Sequence, residues 1–86
     1  MPPRNIKFSK SKRRGKKYKV EFDYKGKRYK VHFGSDKHQQ FKDSTPLKLY
    51  KDLDHGDKGR RARYYLRHKK TKNFFSPRYW SNNYLW

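Results

Sequence analysis

Three arginines and a tyrosine near the middle of the chain have the types and spacing to bind a phosphate. Arg60, Arg63, Tyr64 and Arg67 recur at intervals of three and four residues, which places them on one face if the segment is helical. The planar guanidinium group binds phosphate bidentately, and an interleaved tyrosine can stack or donate a hydrogen bond. This face is the first candidate for a binding surface.

The same segment has a structural alternative. Arg60 and Arg61 could form ion pairs with Asp52 and Asp54, while Tyr64 packs on the aromatic residues near the end of the sequence. The helix carries no pattern of base-reading Asn or Gln residues, so any nucleic-acid contact is predicted to be independent of sequence.

A second set of cations fills residues 1–17, which contain no acidic residue. Its members are Arg4, Lys7, Lys10, Lys12, Arg13, Arg14, Lys16 and Lys17. If all of them met phosphates, the slope of log affinity against log salt would be about −7. The alternatives are a nuclear-localisation patch or a role in solubility alone. Ile6 and Phe8 are apolar residues that a solvating tail does not need, and they suggest that the segment lies along a protein surface.

The histidines and aspartates do not assemble into a metal or catalytic pattern. None of the four histidines has the paired spacing of a zinc site, and no cysteine is present. Asp52, Asp54 and Asp57 resemble a calcium loop, but Gly56 stands where a third ligand belongs and Arg63 where the closing glutamate belongs.

We therefore predict no enzymatic activity, no cofactor and no metal. A nuclease-like reaction at His55 and the neighbouring aspartates is the weaker alternative, because no group that would activate a nucleophile can be identified.

The charge balance points to a polyanionic partner. Lys and Arg number 26 and Asp and Glu number 7, for a formal net charge of +19. Self-repulsion of this size destabilises a compact state until a polyanion neutralises it. Nucleic acid is the first expectation, followed by an acidic protein surface and then anionic lipid. The absence of cysteine and of any long apolar run predicts a reducing compartment and no membrane span.

The firmest structural pattern is an alternation of apolar and polar residues from 17 to 33. A two-residue turn at Lys25-Gly26 would pair Phe22 with Tyr29 and Val20 with Val31 on one face. On the other face the same register pairs Asp23 with Arg28 and Glu21 with Lys30. This predicts an antiparallel hairpin whose aromatic face must be covered.

Three helical segments are predicted after the hairpin. Thr45 and Pro46 indicate a helix of about two turns that ends near residues 54–56. Asp57 would cap a second helix from about 58 to 70, with Ala62, Tyr65, Leu66 and the stem of Lys69 as its apolar stripe. Ser76 and Pro77 indicate a last helical turn within an aromatic C-terminal clasp, residues 76–86.

The predicted fold is therefore a small α+β domain. An antiparallel β-hairpin packs on two short helices and the aromatic clasp, across residues 18–86. Residues 1–17 form a disordered or extended basic tail. An aromatic fraction of 19% can build a core in a chain of 86 residues, which is otherwise short of apolar side chains.

Several separated blocks of residues resemble a family of small basic proteins encoded by giant DNA viruses of algae and amoebae. The matching blocks are Phe33-Gly34, Asp54-His55, Asp57, Arg60-Arg61, Tyr64, Arg67-His68, Trp80-Ser81 and Tyr84-Leu85-Trp86. The resemblance covers residues 17–86 and excludes the basic tail. It implies a protein associated with the virion or the genome and without known enzymatic activity, whose matched residues are markers of the fold.

The function predicted from sequence is structural. A minor virion protein would bridge neighbouring capsid proteins or packaged DNA through its basic surface and tail, after synthesis in the host cytoplasm or virus factory. The alternative is a sequence-independent nucleic-acid-binding protein that condenses a genome or binds RNA as ribosomal proteins do. No small-molecule substrate is expected, and contact with anionic lipid is the least favoured option.

Overall fold

The computed structural model describes residues 2–86 as a three-stranded antiparallel sheet with two short helices. The strands run in the order β1-β2-β3 and span Arg4–Lys10, Lys16–Tyr24 and Lys27–Ser35. Helix α1 spans Lys58–Arg67 and helix α2 spans Pro77–Tyr84, and a single 3-10 turn covers Lys51–Leu53. The predicted α+β class is confirmed.

The hairpin of β2 and β3 has the register predicted from the alternation. Phe22 pairs with Tyr29 and Val20 with Val31, while Asp23 pairs with Arg28 on the opposite face. Lys25 and Gly26 have φ angles of 49° and 77°, as a two-residue turn with left-handed residues at both positions requires.

The ion pairs on the open face of the sheet differ in part from the prediction. Arg28 pairs with Asp23 at 3.0 Å, as expected. Glu21 lies opposite Lys30 in the register, but its ion pairs are with Lys19 at 3.3 Å and Arg28 at 4.0 Å.

The first part of the predicted basic tail forms the edge strand β1. It pairs antiparallel with β2, with Phe8 opposite Val20, after an irregularity at Asn5, where φ is 51°. The Phe8 ring lies 6.1 Å from that of Trp80 and 4.7 Å from that of Tyr84. Residues 4–10 are thus extended, one of the two predicted states, and they contribute to the core of the domain.

The core lies on one face of the sheet beneath α2. Its buried apolar residues are Tyr18, Val20, Phe22, Val31, Phe33, Trp80 and Leu85. Trp80 stacks on Phe22 at 5.6 Å, and its indole nitrogen donates a hydrogen bond to the Phe74 carbonyl at 2.7 Å. Ser76 caps α2 and Pro77 is its first residue, as predicted.

The predicted helix from Thr45 to about residue 54 is wrong, although its first capping bond forms. The Thr45 hydroxyl accepts a hydrogen bond from the Lys48 amide at 3.2 Å, but Lys48 then adopts a φ of 50°. The next two amides, of Leu49 and Tyr50, donate to the Tyr18 hydroxyl and to a carboxylate oxygen of Asp43. Because these amides are taken by partners outside the segment, the helical hydrogen bonds cannot continue.

Helix α1 begins as predicted and ends three residues earlier than predicted. The Asp57 carboxylate accepts hydrogen bonds from the amides of Gly59 and Arg60 at 2.9 and 3.2 Å. No residue of α1 is buried, and the helix does not pack on the sheet. The predicted apolar stripe is wrong for Ala62, which is exposed, and for Leu66, which is 78% exposed; Tyr65 is half-buried and donates a hydrogen bond to the Asn82 carbonyl.

Candidate functional site

A groove of about 630 Å³ lies beside α1, between this helix, the facing ends of β2 and β3, and α2; we call it groove A. Lys16 and Ser35 line it from the sheet, and His38 and Gln39 from the loop that follows β3. α1 and α2, with the chain that follows each, contribute the remaining lining residues, among which are Arg60, Arg63, Tyr64, Arg67, His68, Pro77, Arg78, Ser81 and Trp86.

The charge of groove A is of one sign. It is lined by the cations Lys16, Arg60, Arg63, Arg67 and Arg78, and no lining residue is acidic. Within residues 2–86 the ion pairs are confined to the β2–β3 hairpin, so none of these cations forms one there. A cleft lined by one sign of charge focuses its field and concentrates counter-ions. Groove A is therefore built to attract anions.

Arg60 is held in place by the opposite wall of groove A. Its guanidinium donates a hydrogen bond to the Gln39 side-chain carbonyl at 2.8 Å. Gln39 sits between His38 and Gln40, which are both bonded to the Lys17 ammonium. The wall that meets Arg60 is thus anchored to strand β2.

Lys17 does not fit the phosphate-binding role predicted for it, because its side chain lies beneath the groove. Lys17 is 1% exposed, and its ammonium donates to the His38 carbonyl at 2.7 Å and to the Gln40 side-chain carbonyl. Burial lowers the Lys17 pKa from 10.5 to about 8, against the opposing attraction of Asp43 and Asp54. Lys17 therefore stabilises the groove wall, and the predicted phosphate binding falls to the neighbouring cations.

Tyr64 forms the aromatic side of groove A and is not free to stack on a base. Its ring lies 4.2 Å from that of Trp86, at an angle of 6°, and 4.5 Å from that of His68. Two rings cannot share one face at these distances, so Tyr64 lies between them. Its hydroxyl donates to the Asn82 side-chain carbonyl at 2.8 Å, and burial raises the Tyr64 pKa to about 12. The predicted packing of Tyr64 on the C-terminal aromatic residues is confirmed.

A second groove, of about 660 Å³, lies on the other side of α1; we call it groove B. Its cations are Lys42, Arg61, Lys70 and Lys72, and no residue that lines it is acidic. Arg61 lies 5.0 Å from the Phe41 ring and donates a hydrogen bond to the Trp86 carbonyl at 2.6 Å. Trp86 lines both grooves, so one residue joins them at the base of α1.

The predicted ion pairs of Arg60 and Arg61 with Asp52 and Asp54 are wrong. Arg60 donates instead to the Gln39 side chain, and Arg61 to the backbone oxygen of Trp86. Asp54 accepts hydrogen bonds from the Gln40 amide group and from the Asp43 backbone amide, each at 2.7 Å. The Asp54 carboxylate forms its hydrogen bonds within the loop and pairs with neither arginine.

The other cations of the predicted tail lie outside both grooves. Arg4, Lys7 and Lys10 belong to strand β1, and Lys12, Arg13 and Arg14 belong to the connection between β1 and β2. Only Lys16 and Lys17 from this segment line groove A. The structure therefore brings Arg60, Arg63, Tyr64 and Arg67 together with Lys16, and leaves the rest of the predicted set apart.

Sequence reasoning missed Arg78, His38, Gln39 and the cations of groove B. Arg78 follows the Ser76-Pro77 cap, and the exposed first turn of a short helix was the available signal for it. Asn82 was also missed, although its side chain and carbonyl accept hydrogen bonds from Tyr64 and Tyr65 and so join α2 to α1.

Among residues 2–86, no three His, Asp or Glu side chains come close enough together to hold a metal ion. His55 instead accepts a hydrogen bond from the Asp57 amide at 2.9 Å and packs on the Trp86 ring at 5.2 Å. Neither described helix is long and apolar enough to cross a membrane.

No family model matches the chain, and neither the curated proteins nor the solved structures contain a significant match. The resemblance to small basic proteins of giant viruses stays a prediction. Several residues that carry it have structural roles here: Asp57 caps α1, Tyr64 stacks on Trp86, and Trp80 and Leu85 lie in the core.

Proposed function

We propose that this protein binds nucleic acid independently of sequence, through phosphate contacts in groove A. The observation that carries the proposal is the set of five cationic side chains, besides that of the buried Lys17, that line one groove in which no lining residue is acidic. Phosphate oxygens are the ligands that such a set fits best, because guanidinium groups bind them with two parallel hydrogen bonds.

The placement of the arginines supports a repeating anion over a single small one. Arg60, Arg63 and Arg67 follow one side of α1 at intervals of three and four residues, and Arg78 faces them from α2. α1 is about 15 Å long, which corresponds to about four phosphates along one nucleic-acid strand. A phosphodiester backbone can therefore engage several of these groups at once.

Independence of sequence follows from the types of side chain. Arginine and lysine reach phosphates at any sequence, and the only side-chain amide in groove A, that of Gln39, is bonded to Arg60. We therefore expect similar affinities for unrelated sequences of equal length.

Charge reversal in groove A tests the proposal. In Arg63→Glu/Arg67→Glu, two exposed cations of groove A become anions, and we expect the affinity for a random duplex of about 20 base pairs to fall by at least about tenfold. Fluorescence anisotropy of labelled duplex and single strand at physiological salt measures the effect. The melting temperature should not change, because neither side chain is buried.

The matched control is Lys27→Glu/Lys51→Glu, which alters the net charge equally at exposed positions outside α1 and both grooves. We expect this variant to lose less than about threefold in affinity. Equal losses in the two variants would mean that net charge alone drives binding, and the groove would then have no special role.

The virion role predicted from sequence is compatible with this proposal. A protein that binds packaged DNA through groove A would still present the open face of its sheet to other molecules. No contact in residues 2–86 bears on a capsid partner, so that role stays a prediction.

A further inference from the structure

Helix α1 is attached to the rest of the molecule along one side only. None of its residues is buried, and it is attached from one side through Arg60, Arg61, Tyr64 and Tyr65. The opposite side presents Gly59, Ala62 and Leu66, which share one face at intervals of three and four residues. Leu66 is 78% exposed, the most exposed large apolar residue described.

The two grooves flank α1 along its length. Arg60, Arg63 and Arg67 face groove A, while Arg61 and Tyr65 face groove B. Both grooves are cationic and without acidic lining, so α1 is a ridge between two positive grooves. Two anionic strands separated by the width of a helix would complement this surface.

Duplex DNA in the B form has that geometry. A helix with its side chains is about 10–12 Å across, and the major groove is about 12 Å wide and 8.5 Å deep between two phosphate backbones. The exposed face of α1 has small residues at Gly59 and Ala62, which allow close approach, and an apolar side chain at Leu66, which can contact thymine methyl groups.

We propose that α1 inserts into the major groove of duplex DNA, with one phosphate backbone in groove A and the other in groove B. This inference rests on the proposed function and names its substrate. Groove B then has the same role as groove A, and the exposure of Leu66 becomes a property of the free protein that binding removes.

The experiment compares a DNA duplex of about 20 base pairs with double-stranded RNA of the same sequence, using the full chain. The major groove of A-form RNA is too deep and narrow for a helix, so we expect RNA to bind at least about tenfold more weakly than DNA. We also expect Leu66→Glu to lose at least about tenfold in DNA affinity, because its carboxylate would lie on the floor of an anionic groove.

The matched control is Leu49→Glu, at a leucine that is 49% exposed and lies outside α1 and both grooves. It carries the same charge change and should bind DNA within about twofold of the unmodified chain. Melting temperatures of both variants check that the fold is unchanged.

The outcomes separate this inference from the proposed function. Equal binding of DNA and RNA duplexes, together with equal effects of Leu66→Glu and Leu49→Glu, would overturn major-groove insertion while leaving phosphate binding in groove A intact. No binding of any nucleic acid by the unmodified chain would overturn both. A dimer that forms through Leu66 and is broken by Leu66→Glu, without loss of DNA binding, would assign the exposed face to a second copy instead.

Discussion

At the scale of single residues, Lys17 connects the core to groove A. Its ammonium is buried, has lost most of its hydration, and is bonded to two carbonyl oxygens of the loop that forms the groove wall. A buried ammonium group is a cost in stability that hydrogen bonds offset only in part. The sequence placed Lys17 among the phosphate ligands because its position at the start of β2 does not reveal that the loop folds over it.

The lowered pKa of Lys17 predicts a stability that rises with pH. The unfolded chain holds this proton with a pKa near 10.5 and the folded protein with a pKa of about 8. Between these values the unfolded state binds more protons, so the free energy of unfolding increases as pH rises from about 8 to 10, by about 1–3 kcal/mol. Denaturant unfolding at a series of pH values measures this increase.

Two tyrosines limit the increase in the free energy of unfolding at higher pH. Burial raises the pKa values of Tyr18 and Tyr64 from 10.0 to about 12, with a hydrogen bond to Asp43 also contributing at Tyr18. The stability that they contribute is complete below pH 10 and is lost as pH rises towards 12. In Lys17→Met the increase from pH 8 to 10 should disappear; an unchanged pH dependence in that variant would show that Lys17 is not its source.

At the scale of elements, strand β1 changes how the basic N-terminal segment is understood. The strand covers part of the core, so deleting residues 1–17 would remove structure as well as charge. A truncation therefore cannot separate phosphate binding by this segment from its contribution to folding.

Phe8 and Ile6 test the docking of β1. Phe8 is half-buried against Phe33, Trp80 and Tyr84, whereas Ile6 is 42% exposed. We expect Phe8→Ala to lower the free energy of unfolding by about 2 kcal/mol, and Ile6→Ala to change it by less than about 0.5 kcal/mol. Urea unfolding measures both, and equally small effects would mean that β1 does not dock on the core.

The elements that sequence predicted well are those fixed by neighbours in the chain. The register of β2 and β3, the Asp57 cap and the Ser76-Pro77 cap all depend on residues a few positions apart. The helix predicted from Thr45 to about residue 54 failed because Asp43, Gln40 and Tyr18, which lie outside the segment, form hydrogen bonds with its backbone. The α1 faces were predicted in part: the arginines gather as expected, but Ala62 and Leu66 of the predicted apolar stripe point outwards.

At the scale of the whole molecule, 26 Lys and Arg side chains outnumber 7 acidic ones, which leaves a net charge of +19, and only Lys19 and Arg28 take part in the described ion pairs. The remaining cations repel one another until an anion binds. A polyanion in the two grooves would relieve this repulsion around α1, the helix that has no buried residue. We therefore expect binding to be strongly weakened by salt.

The most direct test is the salt dependence of duplex DNA binding. Each phosphate contact contributes about −0.9 to the slope of log affinity against log salt, so Arg63→Ala/Arg67→Ala should make the slope shallower by about 1.8. The control Lys27→Ala/Lys51→Ala, outside α1 and both grooves, should change it by less than about 0.5. Equal changes in the two variants would contradict the account, because binding would then draw on charge spread over the whole surface.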